Sequence, residues 1–257
     1  MTPLTALALA LVGFVAGVAN TLAGGGSLLA VPMLIFVGLP ATVANATTRP
    51  AIIVQNVFAV FGFARGGAYE RAGADRPLRD GFLFAALTLP GALAGAFVAA
   101  TRISDVTFER VLAAVMVLVG VLTLRRRAVL GAVMHSRPGP RRWLAPVLFF
   151  AIGFYGGFIQ AGVGFLIMAT LLSARAWSAA RVNAVKVLIV GVYTTLALVV
   201  FAGTNRVAWG PAAALIAGQA AGGFAGSRLS LVLSEQVALR VYLALLLAFA
   251  LKLVVFR

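Results

Sequence analysis

Two cations, Arg49 and Lys186, stand in stretches of sequence that are otherwise apolar. Arg49 is the first charged residue of the chain and opens its apolar segment, whereas Lys186 lies some five residues inside another. The acids are Glu70, Asp75, Asp80, Asp105, Glu109 and Glu235, all in a loop or near helix starts, so no carboxylate is available mid-segment to neutralise either cation. A Lys or Arg at the centre of a membrane helix costs about 2.5–3.5 kcal/mol on insertion scales. A bound anion would supply the missing counter-charge. The alternative is that both long side chains sit near helix ends and reach the headgroups.

Two glycine clusters, Gly24-Gly25-Gly26 and Gly162-Val163-Gly164, point to the same chemistry. Glycine permits tight turns and lets a ligand approach main-chain N–H groups. A helix starting just after such a turn aims its positive dipole end and free donors at that ligand. Close packing of membrane helices is the competing explanation, and it is the preferred one for Gly91-x-x-x-Gly95 and Gly218-x-x-x-Gly222-x-x-x-Gly226. Neutral polar groups accompany the clusters. Asn20, Thr21, Asn45, Thr47, Thr48, Gln55 and Asn56 lie in the first half, and Gln160, Asn183, Tyr193, Thr194 and Thr195 in the second. They serve either as donors to an oxyanion or as interhelical hydrogen bonds. The recurring pairs, Asn20 with Gln160 and Asn45 with Asn183, are the strongest candidates. The expected binding set is therefore Asn20, Gly24, Gly25, Gly26, Thr47, Thr48, Arg49, Gln160, Gly162, Gly164, Asn183 and Lys186.

Other chemistries lack their residues. The chain has no cysteine, and its one histidine, His135, lies in a polar loop, so no disulfide, metal site or cofactor is expected. Ser27 and Ser173 have no intramembrane base to activate them as nucleophiles, which argues against an enzyme. No phosphate-binding loop of the ATPase type is present, so energy would come from a proton or sodium gradient or from the membrane potential.

The elements that carry these residues must be membrane helices. Of 257 residues, 62% are hydrophobic and 11% charged, and the mean hydropathy is +1.06. A soluble domain carries about 25% charged residues. Ten apolar segments can be marked: 4–23, 27–44, 47–64, 81–101, 106–124, 144–161, 165–178, 181–203, 208–227 and 235–255. In lipid, each must satisfy its own backbone polar groups, so each is read as a helix. The net charge of +15 does not indicate nucleic acid, because the basic residues lie mostly between apolar segments. The connection Arg125–Arg142 holds six arginines and no acid. Placing it in the cytoplasm puts most Lys and Arg on that side and both termini outside. Met1–Ala10 has no basic stretch, so a cleaved signal peptide is not expected.

The halves echo one another. Gly13-Phe14-x-x-Gly17-x-x-Asn20 matches Gly153-Phe154-x-x-Gly157-x-x-Gln160, and Gly24-x-Gly26 matches Gly162-x-Gly164. Val43-Ala44-Asn45-Ala46 resembles Arg181-Val182-Asn183-Ala184, and Gly91-x-x-x-Gly95…Arg102-x-Ser104 mirrors Gly218-x-x-x-Gly222…Arg228-x-Ser230. The expected organisation is a membrane repeat over 1–124, a basic cytoplasmic linker over 125–142 and a second repeat over 143–257. Each repeat holds an odd number of crossings, five or three, so the two must be inverted. The expected fold is an all-α polytopic membrane protein of two inverted repeats of about five helical segments each, the first two of each either crossing fully or forming a re-entrant hairpin. Pro32, Gly38 and Pro40 interrupt the second segment, and its counterpart offers only Phe165–Leu172 as a clean apolar run. Short segments at matching positions are the sequence mark of a transporter binding site near the midplane.

The pieces Gly13-Phe14-x-x-Gly17, Gly24-Gly25-Gly26-Ser27, Pro32, Gly38 and Ala44-Asn45-Ala46-Thr47-Thr48, with their weaker echo from Gly153 to Lys186, resemble the TauE/SafE sulfite exporter family, also called the toluene-sulfonate uptake permease family. The resemblance spans nearly the whole chain, including its duplicated layout. It implies transport of small anions, typically sulfite, sulfoacetate or other organosulfur compounds, across the bacterial inner membrane. The partners expected are that anion, the lipid bilayer and a coupling proton or sodium ion. An anion channel, or a carrier of a non-sulfur organic anion, remains the alternative.

Overall fold

The computed structural model describes residues 1–70, 75–124, 144–174 and 177–233. The basic connection at 125–142 and the tenth segment at 235–255 lie outside the described residues. The elements are helices: α1 (Pro3–Ala23), α2 (Ser27–Phe36), α3 (Ala41–Arg65), α4 (Pro77–Thr101), α5 (Asp105–Leu124), α6 (Ala145–Phe158), α7 (Val163–Ala174), α8 (Ala179–Gly203) and α9 (Trp209–Val232). Among the described residues α1, α4 and α8 are long and apolar enough to cross a membrane. The chain is all-α.

Local sequence explains the breaks. Thr2 caps α1 through the amide of Thr5, and Pro3 occupies the first turn, where its missing N–H costs nothing. Gly24 ends the helix in the left-handed conformation, and its N–H turns back to Ala19 and Asn20. The second and third segments divide differently from the apolar pattern. Hydropathy carries the second segment to residue 44, but α2 stops at Phe36, where Gly38 adopts a φ of 98° and Pro40 starts the next helix. Ala41–Asn45 therefore belong to α3. Arg49 does not open this helix; it lies two turns inside it. The start of α3 is capped from α5, because Asp105 accepts from both the amide and the hydroxyl of Thr42 at 2.9 and 2.7 Å. Arg206, just beyond α8, donates to the same hydroxyl.

At ~1.5 Å per residue, the 10 residues of α2 and 12 of α7 span about 15 and 18 Å, short of a hydrocarbon core of ~30 Å. Each short helix follows a longer one through a tight buried turn. Around these hairpins the long helices pair reciprocally: α1 packs on α9 and α4 on α6, α3 packs on α9 and α4 on α8, and α3 packs on α8. The contacts give their directions. Gly13 and Gly17 lie against Leu215 and Gln219, so α1 and α9 run parallel; Gly91 and Gly95 lie against Phe150 and Phe154, so α4 and α6 do too. Between α3 and α8 the order reverses, with Thr42 beside Arg206, Asn56 beside Gly191, and Tyr69, past the end of α3, bonded to Ala184.

Polarity is distributed inside out. Arg49, Lys186, Asn45, Gln55, Thr47 and Thr48 are buried, while Leu7, Leu11, Phe61, Phe82, Phe97 and Phe150 are exposed. Hydrocarbon around the bundle accounts for that arrangement, since water would penalise those faces. The α4–α6 seam depends on glycine, because a Cβ on Gly91 would strike the carbonyl of Phe150 and the amide of Phe154. Overpacking of this kind costs about 1–3 kcal/mol. Gly91→Val is expected to lower the thermal midpoint of the purified protein in detergent, whereas Gly210→Val, at a position with nothing within 4 Å, leaves it in place.

Candidate functional site

A helix that ends inside an apolar protein presents carbonyls that must find donors. At the end of α1 they find them on α8. The Lys186 ammonium donates to the carbonyls of Asn20 and Thr21 at 3.0 and 2.8 Å, and to Asn183 Oδ1 at 2.8 Å. Asn183 in turn donates to the carbonyl of Leu22 at 3.1 Å and to Ser230 Oγ at 3.0 Å. Gly24 N–H serves Ala19 and Asn20. One asparagine and one cation, less than a turn apart on a single helix, thus close the terminus of another.

The end of α6 is closed in the same way from α3. Arg49 Nη1 donates to the carbonyl of Gly156 at 2.7 Å and to Gln160 Oε1 at 2.5 Å, and Nη2 to the carbonyl of Gly157 at 2.8 Å and to Asn45 Oδ1 at 3.3 Å. Asn45 donates to the carbonyl of Phe158 at 3.0 Å. The guanidinium also lies 5.1 Å from the centre of the Phe201 ring, within cation–π range. Arg49 is 0% exposed and Lys186 1%. Burial that complete removes the reading in which they reach headgroups. The counter-charge near them is the negative end of a helix dipole, about half a charge each.

The two hairpin turns touch. A Cβ on Gly24 would collide with the backbone of Gly164, and one on Gly164 with Gly24. Ser27 Oγ bonds the carbonyl of Gln160 across the junction at 3.1 Å. Gln160 itself holds a left-handed φ of 62°, unusual for a residue with a side chain, and Gly162 follows at 73°. Strain of that kind concentrates at functional turns. Among the described residues, the N–H groups of Gly25, Gly26, Ser27, Gly162 and Gly164 find no backbone acceptor, so both helix starts keep donors available where the tips meet.

Polar side chains surround the junction. Asn20 Nδ2 donates to Gln55 Oε1 at 2.6 Å, and Gln55 Nε2 to Thr21 Oγ1 at 3.0 Å. Across the junction Gln160 Nε2 reaches Thr194 Oγ1 at 3.4 Å. The Tyr193 hydroxyl lies beside Gln160 and Thr194 without a hydrogen bond of good geometry, and Arg49 Nε likewise has no acceptor. Gly156 makes room for that phenol, because any Cβ there would press on the Tyr193 ring at 2.8 Å.

The expected binding residues are therefore placed in two roles. Asn20, Gly24, Gly25, Gly26, Gln160, Gly162 and Gly164 gather at the tip junction. Arg49, Lys186, Asn183 and Asn45 hold the helix ends behind it. Thr47 and Thr48 stand further back: Thr47 Oγ1 accepts from Ala208 N–H and Thr48 Oγ1 donates to the carbonyl of Asn45. Gln55 and Tyr193 are central here although the sequence-derived set omits them. The repeat held a signal for both, since aligning Asn45 with Asn183 also aligns Gln55 with Tyr193.

The description that fits this chain is sulfite exporter TauE/SafE, a family whose sequence model matches residues 9–253. The chain belongs to that family. It is accordingly a multi-pass membrane protein of a transporter family. No curated protein and no solved structure matches it.

Removing a donor from a buried pair leaves its acceptor unpaired, at about 1–3 kcal/mol per group. Arg49→Met orphans the carbonyls of Gly156 and Gly157 as well as the Gln160 amide. Its melting temperature is expected to fall well below that of Thr48→Val, which removes only a bond to a carbonyl one turn back in the same helix. A double-mutant cycle of Asn183→Ala with Lys186→Met, read by thermal unfolding, is expected to return a coupling of about 0.5–3 kcal/mol, as for residues of one network.

Proposed function

We propose that the chain is a secondary transporter of small anions, with sulfite and organosulfonates as its substrate class, working by alternating access between two inverted repeats of the bacterial inner membrane. The observation that carries this reading is electrostatic. Among the described residues, two buried cations with no acidic group hydrogen-bonded to them stand behind two touching helix starts whose N–H groups have no backbone acceptor. Each helix end they cap offsets only about half a charge, and each nearby helix start adds about half a charge of positive potential. The junction is left positive, and an anion seated there relieves it.

The substrate would lie against the amides of Gly25, Gly26, Ser27, Gly162 and Gly164, with Asn20, Gln55, Gln160 and Tyr193 at its sides. Arg49 and Lys186 act on it through their field and by holding the tips in register. Sulfur is favoured by the family's description, and the chemistry of the site fits it: sulfite and sulfonates present three acceptor oxygens to a surface made of donors. The inverted arrangement draws support from the reciprocal pairing, in which exchanging α1 with α6, α3 with α8 and α4 with α9 exchanges like contacts. The antiparallel run of α3 against α8 supports it as well.

Uptake of sulfite and of aryl and alkyl sulfonates into proteoliposomes tests the reading. Flux is expected to saturate and to accelerate when unlabelled anion is loaded inside, the behaviour of an alternating carrier. Single-channel currents would replace the carrier with an anion channel, and transport confined to carboxylates would remove the sulfur assignment. Gln55→Glu places a carboxylate beside the junction with little change of shape. Uptake is expected to fall about tenfold or more, the effect of 1.4 kcal/mol or more of repulsion. Undiminished uptake by a folded Gln55→Glu protein overturns the site.

A further inference from the structure

The environment of Lys186 differs from that of an ion-paired lysine. Its ammonium has three N–H donors, and three oxygens receive them: the carbonyls of Asn20 and Thr21 and the Oδ1 of Asn183, all at 2.8–3.0 Å. The Met168 sulfur stands at 3.9 Å. No hydrogen-bonding partner is a carboxylate. Two of the oxygens are main-chain carbonyls at the end of a broken helix, the type of ligand that holds coupling cations in transporters built from discontinuous helices. The geometry points to a primary-ammonium site that the chain fills with its own side chain: the positive charge that a free monovalent cation would bring to the α1 terminus is supplied in cis by Lys186.

Two consequences separate this from a merely structural lysine. First, what the site requires is a charged triple donor, and the covalent tether is dispensable. Lys186→Ala removes three methylenes and the ammonium, the heavy atoms of n-propylammonium, and leaves the three oxygens facing a cavity of that shape. Second, with the site filled from within, the chain needs no sodium for its transport cycle; this second consequence rests on the anion-transport reading, whereas the first does not.

The experiment uses the full-length protein. Thermal unfolding of Lys186→Ala is followed in n-propylammonium chloride, in tetramethylammonium chloride, which has no N–H donor, and in sodium chloride. Propylammonium is expected to raise the midpoint with the logarithm of its concentration above its Kd, by about 5 °C at concentrations near a hundred times that Kd. Tetramethylammonium and sodium are expected to give no such rise, and neither does propylammonium with the native protein or with Lys186→Met, whose side chain fills the space. If Lys186→Ala does not fold unaided, the yield of monodisperse protein solubilised with propylammonium against tetramethylammonium reads the same site. Equal responses to the two cations, a sodium-specific rise, or failure to fold in both while Lys186→Met folds, overturn the proposal. In proteoliposomes, anion uptake by the native protein is expected to be the same in sodium and in choline media, and a requirement for sodium overturns the second consequence. Absence of any anion uptake alongside propylammonium rescue would instead count against the transport reading and leave the ammonium site standing.

Discussion

Two helices end in the interior of this protein, and the carbonyls at those ends need donors that neither lipid nor apolar side chains provide. Most of what is unusual in the chain stems from that need. Asn183 and Lys186 close α1, Asn45 and Arg49 close α6, and each pair comes from the opposite half of the sequence. Buried cations are otherwise costly in a membrane protein. Here their partners are backbone dipoles, each of which offsets about half of a cation's charge, and among the described residues no acid is hydrogen-bonded to either cation.

The same device positions the two hairpin turns. Closing the C-termini from behind frees the next helix starts to face one another across the Gly24–Gly164 contact. Two backbones meet there without side chains between them. Asn20, Gln55, Gln160 and Tyr193 frame that contact, and Ser27 ties one tip to the other. Membership of the sulfite exporter family places the chain among membrane transporters.

Much of this was legible in the sequence, for identifiable reasons. Uncharged runs longer than a bilayer crossing marked the helices. The boundary between the second and third helices was not legible from hydropathy, because Ala41–Ala44 is as apolar as a helix interior; the turn depends on Gly38 adopting a positive φ and on Asp105 arriving from α5 to cap the start of α3. Arg49 and Lys186 were conspicuous as cations without acids. Their partners were invisible, since a main-chain carbonyl carries no signature in the sequence and becomes available only where a helix stops. Gln55 and Tyr193 escaped because chemically unlike side chains occupy equivalent places, so a search for repeated residue types passes over them.

The reciprocal packing also bears on how such a chain is made. α1 seals against α9 and α6 against α4, while the donors for each broken terminus lie on a helix of the other half. Synthesis delivers α1 to α5 to the bilayer first, and at that stage the carbonyls of Thr21 and Leu22 and the guanidinium of Arg49 still lack their final partners. The centre in the form described here closes only once α6 to α9 have joined the first five helices.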